Sequence, residues 1–78
     1  MMKVVLKNSN DLIKKILSLI NVSSRFSLEH VKFFCQKEMF NNVESALYKI
    51  GFKKVENVNN LFSLNQIRVE LEEIDKYI

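Results

Sequence analysis

Apolar residues recur with the spacing of an α-helix over several segments of this chain. In the clearest segment, Val43, Leu47 and Ile50 are spaced i, i+4 and i+7, which places them on one face of a helix. Gly51, the only glycine, follows directly and favours the left-handed backbone just beyond a helix end. Asn41 is a good N-cap residue type. The pattern therefore predicts a helix that Asn41 caps and Gly51 ends.

Three further segments have apolar residues with helical spacing. These are Leu12, Ile13, Ile16, Leu17 and Ile20; Leu28, Val31, Phe34 and Cys35; and Ile67, Leu71, Ile74 and Ile78. Asn10, Ser27 and Asn65 precede them as capping residue types. We therefore predict four helices, with a tight turn around Met39 between the second and the third.

Two stretches have strand-like features. Residues 52–58 and 61–64 flank Asn59 and Asn60, and asparagine tolerates the positive φ of a hairpin tip. Residues 1–7 contain a short apolar run that is either an edge strand or a dimer arm, and its length does not decide between them. The predicted order is helix-helix-turn-helix-hairpin-helix, a mainly α fold with a small β-hairpin in one domain spanning residues 1–78.

Composition and charge narrow the range of functions. A lone cysteine, Cys35, cannot form an internal disulfide, and the longest apolar-rich segment is too short and too interrupted to cross a bilayer. We expect a cytoplasmic protein with no membrane contact. Residues 1–54 carry ten Lys or Arg and four Asp or Glu, whereas residues 55–78 carry two and five. This asymmetry indicates either a side that faces a polyanion or an ordinary lysine-rich surface.

The chain from Phe26 to Ile78 resembles a winged helix-turn-helix DNA-binding domain of small bacterial, plasmid or phage regulators. The resemblance rests on the Ser27-capped helix, the segment Leu47-Tyr48-Lys49-Ile50-Gly51-Phe52, and a short wing followed by a terminal helix. It implies sequence-specific binding of double-stranded DNA by a homodimer, in transcription regulation or plasmid partition. The dimer contact is expected from a helix at residues 66–78, from the N-terminal arm, or from both. The alternative is that the apolar faces of these segments complete the core of a monomer.

The resemblance also implies a set of DNA-binding residues. Asn41, Asn42, Ser45 and Lys49 are expected to contact base edges, because asparagine pairs well with adenine. Tyr48, Lys53, Lys54, Arg25, Lys32 and Lys37 are expected to contact phosphates. The alternative is that this helix face is simply solvated and that Asn41 serves only as a cap.

A second resemblance is to the PUB domain, a module that binds the C-terminal tail of an AAA ATPase. It rests on the segment from Val43 to Phe52, on the hairpin that follows, and on Leu28-Glu29-His30. It implies that His30 and Phe33 line a peptide groove.

An enzyme is not expected. His30 and Cys35 do not make a facing pair on one helix, and the four ligands of a zinc site are lacking. A single glycine cannot build a glycine-rich phosphate loop. We therefore predict no catalytic residues, cofactor, metal or small-molecule substrate.

Overall fold

The computed structural model of the chain describes residues 1–25 and 29–77, apart from the side chains of residues 23 and 24. The elements follow the order β1 (Met2–Val5), α1 (Leu12–Arg25), β2 (His30–Cys35), α2 (Phe40–Ile50), β3 (Lys53–Lys54), β4 (Leu61–Leu64) and β5 (Ile67–Glu73). Single-turn 3-10 helices at Lys37–Met39 and Ile74–Lys76 precede α2 and follow β5. Within the described ranges the fold is thus α/β, with two α-helices and five strands.

The strands form one mixed sheet in the order β1-β2-β5-β4-β3. β1, β2 and β5 are mutually parallel, whereas β4 is antiparallel to both of its neighbours. Parallel neighbours require a crossover, and α1 supplies it between β1 and β2. α2 then carries the chain from β2 to the far edge at β3. Two hairpins bring it back, so the last strand in the sequence lies at the centre of the sheet.

Both helices pack on the same face of the sheet and contact each other. Val31, Phe33 and Cys35 of β2 lie in register with the β5 residues on this face, and each is at most 1% exposed. The core is completed by apolar side chains from both helices and from the neighbouring strands: Leu12, Ile16, Val43, Ala46, Leu47, Phe62, Val69 and Leu71. One layer of helices therefore shields one face of the sheet.

The opposite face, here called the open face, is polar. The β2 residues His30, Lys32 and Phe34 alternate with those of the core face, and their β5 partners in register are Arg68, Glu70 and Glu72. Phe34 is nevertheless only 3% exposed, because the ring of Tyr77 packs edge-on against it at 5.0 Å between centroids.

The second predicted helix is wrong, because residues 30–35 form strand β2. The helical interpretation grouped Val31 with Phe34 and Cys35, but Phe34 lies on the opposite face from the other two. Valine and aromatic side chains pack well on a pleated, half-buried surface, and here that packing decides the structure. The predicted cap Ser27 and inner-face residue Leu28 lie outside the described residues.

The last predicted helix is also wrong, because residues 67–73 form the central strand β5. Ile67, Val69 and Leu71 alternate with charged residues, which is the period of a strand with one buried face. Asn65 adopts a φ of 54° in the tight β4–β5 connection and does not cap a helix. Residues 66–78 are therefore not a dimerisation helix, and Ile78 lies outside the described part.

The winged helix-turn-helix interpretation is overturned by this architecture, as is the mainly α fold class. The predicted helix-turn-helix unit contains a strand, and the predicted wing is the edge of a five-stranded sheet. The PUB resemblance depended on the same element order and fails with it. His30 lies on the open face whereas Phe33 is fully buried beneath the helices, so the two cannot line one groove.

Other predictions are confirmed. α1 begins at Leu12, and of the two alternatives for the N-terminal run the edge strand is the one formed, as β1. Gly51 ends α2 with a φ of +121°, and its N–H donates to the carbonyls of Leu47 and Tyr48, both at 3.1 Å. The predicted hairpin pairs Lys53 with Ser63.

Across residues 1–25 and 29–77, no helix combines the length and the apolarity that crossing a bilayer requires.

Candidate nucleic-acid interface

α2 has one buried face and one bare face. Val43, Ala46 and Leu47 point into the core and are at most 5% exposed. The five residues predicted to contact DNA from this helix are all exposed: Asn41, Asn42, Ser45, Tyr48 and Lys49. The helical period alone separates the two faces, because the apolar positions fall three and four residues apart. A row of amide, hydroxyl and ammonium groups therefore faces solvent.

The start of α2 differs from the prediction. The helix begins at Phe40, and its N-cap residue is Met39, whose side chain makes no capping hydrogen bond. Asn41 consequently lies inside the first turn, so its predicted capping role is wrong. Its amide group remains exposed on the outer surface.

α1 lies beside α2 and runs in the same direction, because both helices return from parallel strands. The starts of the two helices are adjacent: the Asn42 side-chain amide, in the first turn of α2, donates to the hydroxyl of Ser9, just before α1, at 3.2 Å. Between the helices lies a groove with a volume of about 660 Å³, here called the helix groove. Small Ala46 lines it and leaves room between the two backbones.

The walls of the helix groove differ in chemistry. α1 contributes Ile13, Leu17 and Lys14, and the two apolar side chains are 40% and 49% exposed. α2 contributes Asn42, Ser45 and Lys49. Asp11, the residue before α1, is the acidic residue on the groove wall. The structure thus brings three predicted base-contacting residues to one site and adds a cation from α1.

The helix layer also has an excess of free cations. α1 contains Lys14, Lys15 and Arg25 and no acidic residue. The ion pairs found among the described residues all involve Glu70 or Glu72 on the open face. Neither Lys14 nor Lys49 therefore has a carboxylate partner in the described part of the chain. Such unpaired ammonium groups are available to an external anion.

Tyr48 is held at the side of α2 away from α1. Its hydroxyl donates to the Glu44 carboxylate at 2.9 Å, and its ring meets Phe62 edge-on at 5.8 Å. The hydrogen bond to Glu44, with smaller effects of desolvation and of the carboxylate charge, raises the pKa of Tyr48. The phenol therefore stays neutral, and its proton is already engaged by Glu44.

The other predicted phosphate contacts are scattered. Lys32 lies on the open face, 3.7 Å from Glu70, and Lys53 shares that face by its register with Ser63. Arg25 ends α1 and Lys37 precedes α2, so they lie towards opposite ends of the helix layer. Lys54 is exposed at the β3 edge. A duplex lying on the helices would not reach Lys32 or Lys53.

Sequence reasoning missed the contribution of α1. The helical spacing includes Ile13 and Leu17 in one apolar stripe and indicates no role for Lys14. The sequence does contain a signal for this contribution, because the apolar residues of α1 form two adjacent columns, Leu12, Ile16 and Ile20 beside Ile13 and Leu17. Two columns indicate that a helix contacts two neighbours, which here are the sheet and α2.

Comparisons with protein-family models, with curated proteins and with solved structures find no match to this chain.

Proposed function

We propose that this protein binds double-stranded DNA through its helix layer, with the outer face of α2 directed at the groove of the duplex. The observation that carries the proposal is the bare polar face of α2, which ends in Lys49 and lies beside the unpaired Lys14 of α1. The proposal requires no helix-turn-helix unit, because a single exposed helix can enter the major groove.

The polar residues of the helix layer suit different parts of a DNA duplex. The amides of Asn41 and Asn42 match the donor and acceptor pattern of adenine, and the Ser45 hydroxyl suits several base edges. Lys14 and Lys49 are placed for phosphate oxygens, which position a protein on DNA without selecting sequence. α1 has no acidic residue, so the repulsion that its side of the helix groove offers a phosphate comes from Asp11, the residue before the helix.

The test is a titration of a fluorescent mixed-sequence duplex at several salt concentrations. We expect association in about the micromolar range at low salt, weakening as salt rises, since each neutralised phosphate adds about 0.9 to the logarithmic salt slope. Replacing both Lys14→Ala and Lys49→Ala should lower that slope by roughly 2. Both positions are exposed, so the melting temperature should change little.

The matched control is the double variant Lys3→Ala and Lys76→Ala. It removes the same charge from exposed positions outside the helix layer, on β1 and after β5. We expect it to keep the wild-type slope. Equal losses in both double variants would show that only net charge matters, and no salt-dependent binding by the wild type would end the proposal.

A further inference from the structure

β1 presents unpaired backbone groups at one edge of the sheet. Among the described strands it pairs only with β2. The Leu6 N–H donates to the Phe34 carbonyl at 2.8 Å, so Leu6 directs its backbone groups towards β2. Successive residues of a strand alternate in this direction, and the N–H and C=O groups of Lys3 and Val5 therefore point away from the sheet. The edge offers two donors and two acceptors in register.

The two edges of the sheet are built differently. β3, at the far edge, has only two residues, and both are exposed lysines. A short, charged edge discourages the addition of another strand. β1 is twice as long, and Lys3 is its one charged residue. Val4 and Val5 are only partly exposed. The β1 edge therefore lacks the protection that the β3 edge has.

A groove of about 430 Å³ lies beside this edge, between β1 and α1, and is here called the edge groove. Val4, Leu6 and Leu19 give it an apolar lining, and Lys7 and Lys15 add cations. The Lys15 ammonium donates to the Asn8 side-chain carbonyl at 3.3 Å, which keeps the charge near the β1 end of the groove. No carboxylate is among the described residues that line it.

We propose that β1 binds an extended peptide segment of alternating apolar and acidic residues, which joins the sheet as a further strand. Its backbone would complete the hydrogen bonds of Lys3 and Val5. Alternate side chains of an added strand project to opposite faces, so apolar residues enter the edge groove while acidic residues lie beside Lys3 on the open face.

Charge complementarity favours an acidic peptide over a second copy of the chain at the β1 edge. Lys3 faces the acidic side chains of such a strand, and Lys7 and Lys15 add positive potential around the edge, so an acidic segment is attracted to it. A second β1 would bring the same cluster of lysines to this edge, and the accumulation of like charge opposes that pairing. The proposal is independent of DNA binding, since it uses neither α2 nor the helix groove.

The probe is an acetylated, amidated hexapeptide of alternating valine and glutamate, followed by amide hydrogen exchange in the full chain. At saturation we expect exchange at the Lys3 and Val5 amides to slow by at least about tenfold, because they become hydrogen-bonded. The Val4 and Leu6 amides, already bonded to β2, should change little. Lys3→Glu should weaken binding by roughly threefold to tenfold, whereas Lys54→Glu on the other edge should not.

Three results would overturn the proposal. The first is the absence of protection at Lys3 and Val5 at millimolar peptide. The second is equal binding of a valine-lysine hexapeptide, which would remove the acidic preference. The third is protection of both amides without peptide together with a doubled sedimentation mass, which would assign the edge to a second copy of the chain.

Discussion

The two faces of the sheet are made by the same strands but differ in almost every respect. Towards the helices, Val31, Phe33 and Cys35 of β2 are all at most 1% exposed. Towards the open face, His30 and Lys32 are partly exposed and lie close to Glu70. Parallel strands are usually covered on both faces. In this fold the apolar residues of one face supply the core, while the charged residues of the other leave it compatible with water.

Phe33 and Phe34 provide the sharpest comparison, because they are adjacent in sequence and lie on opposite faces. Phe33→Ala should lower the free energy of unfolding by about 3–5 kcal/mol, since it leaves a cavity under both helices. Phe34→Ala should lower the free energy of unfolding by less, because the Phe34 side chain is covered chiefly by the Tyr77 ring and the Lys32 side chain. Urea denaturation of both variants measures the difference. An equal or larger cost for Phe34→Ala would mean that the open face holds a second core.

The buried thiol of Cys35, on the face covered by the helices, predicts that the stability of the fold decreases at alkaline pH. Burial raises the pKa of the Cys35 thiol from 9.0 to about 11. Above pH 9 the unfolded chain releases this proton while the folded chain retains it, so stability falls as pH rises from 9 to 11 and is unaffected below. The loss should be on the order of 1 kcal/mol at pH 10. The measurement is urea unfolding of the wild type and of Cys35→Ala at about pH 8 and pH 10. The two proteins share all other titrating groups, so the difference between their alkaline losses of stability is the contribution of Cys35. The same alkaline loss in both proteins would contradict the assignment to Cys35.

The smallest effect on stability is expected from a substitution on the open face. Glu70 lies 3.4 Å from His30 Nε2 and 3.7 Å from Lys32 Nζ, and its side chain is 31% exposed. Glu70→Gln should cost at most about 1 kcal/mol, because water and salt screen such pairs. Unfolding at low and high ionic strength should show the difference shrinking as salt rises. A loss above about 2 kcal/mol, insensitive to salt, would contradict the view of this face as solvated.

Local signals predicted α1, α2 and the Gly51 stop from the sequence. In each helix the apolar spacing agrees with helical propensity, and at Gly51 the backbone conformation itself requires glycine. The exposed side of α2 could also be predicted, because the helical period fixes it once the core side is known.

The central strand β5 could not be predicted in the same way, because its residues fit both the period of a helix and the period of a strand. Glu70, Glu72 and Glu73 favour a helix, and Ile67, Leu71 and Ile74 have helical spacing. Under that reading Val69 has no place on the apolar side, whereas as a strand it joins Ile67 and Leu71. Pairing with β2 settles the conflict. Val69 pairs with Val31, which lies 38 positions earlier in the chain, so the local sequence does not reveal the contact that decides the structure.

The helix groove was beyond sequence reasoning for a related reason. Asn42, Ser45 and Lys49 share a stripe that the period reveals, but Lys14 joins them only because two crossovers place α1 and α2 side by side. With β2 interpreted as a helix, that arrangement could not be anticipated.

The position of β5 has a consequence for biosynthesis. β2 and β4 both leave the ribosome before the strand that separates them, and each then has an unpaired inner edge. Such edges are prone to pair with those of other nascent chains. When residues 67–73 have been synthesised and pair as β5, they join the two halves of the sheet and remove this aggregation hazard in a single step.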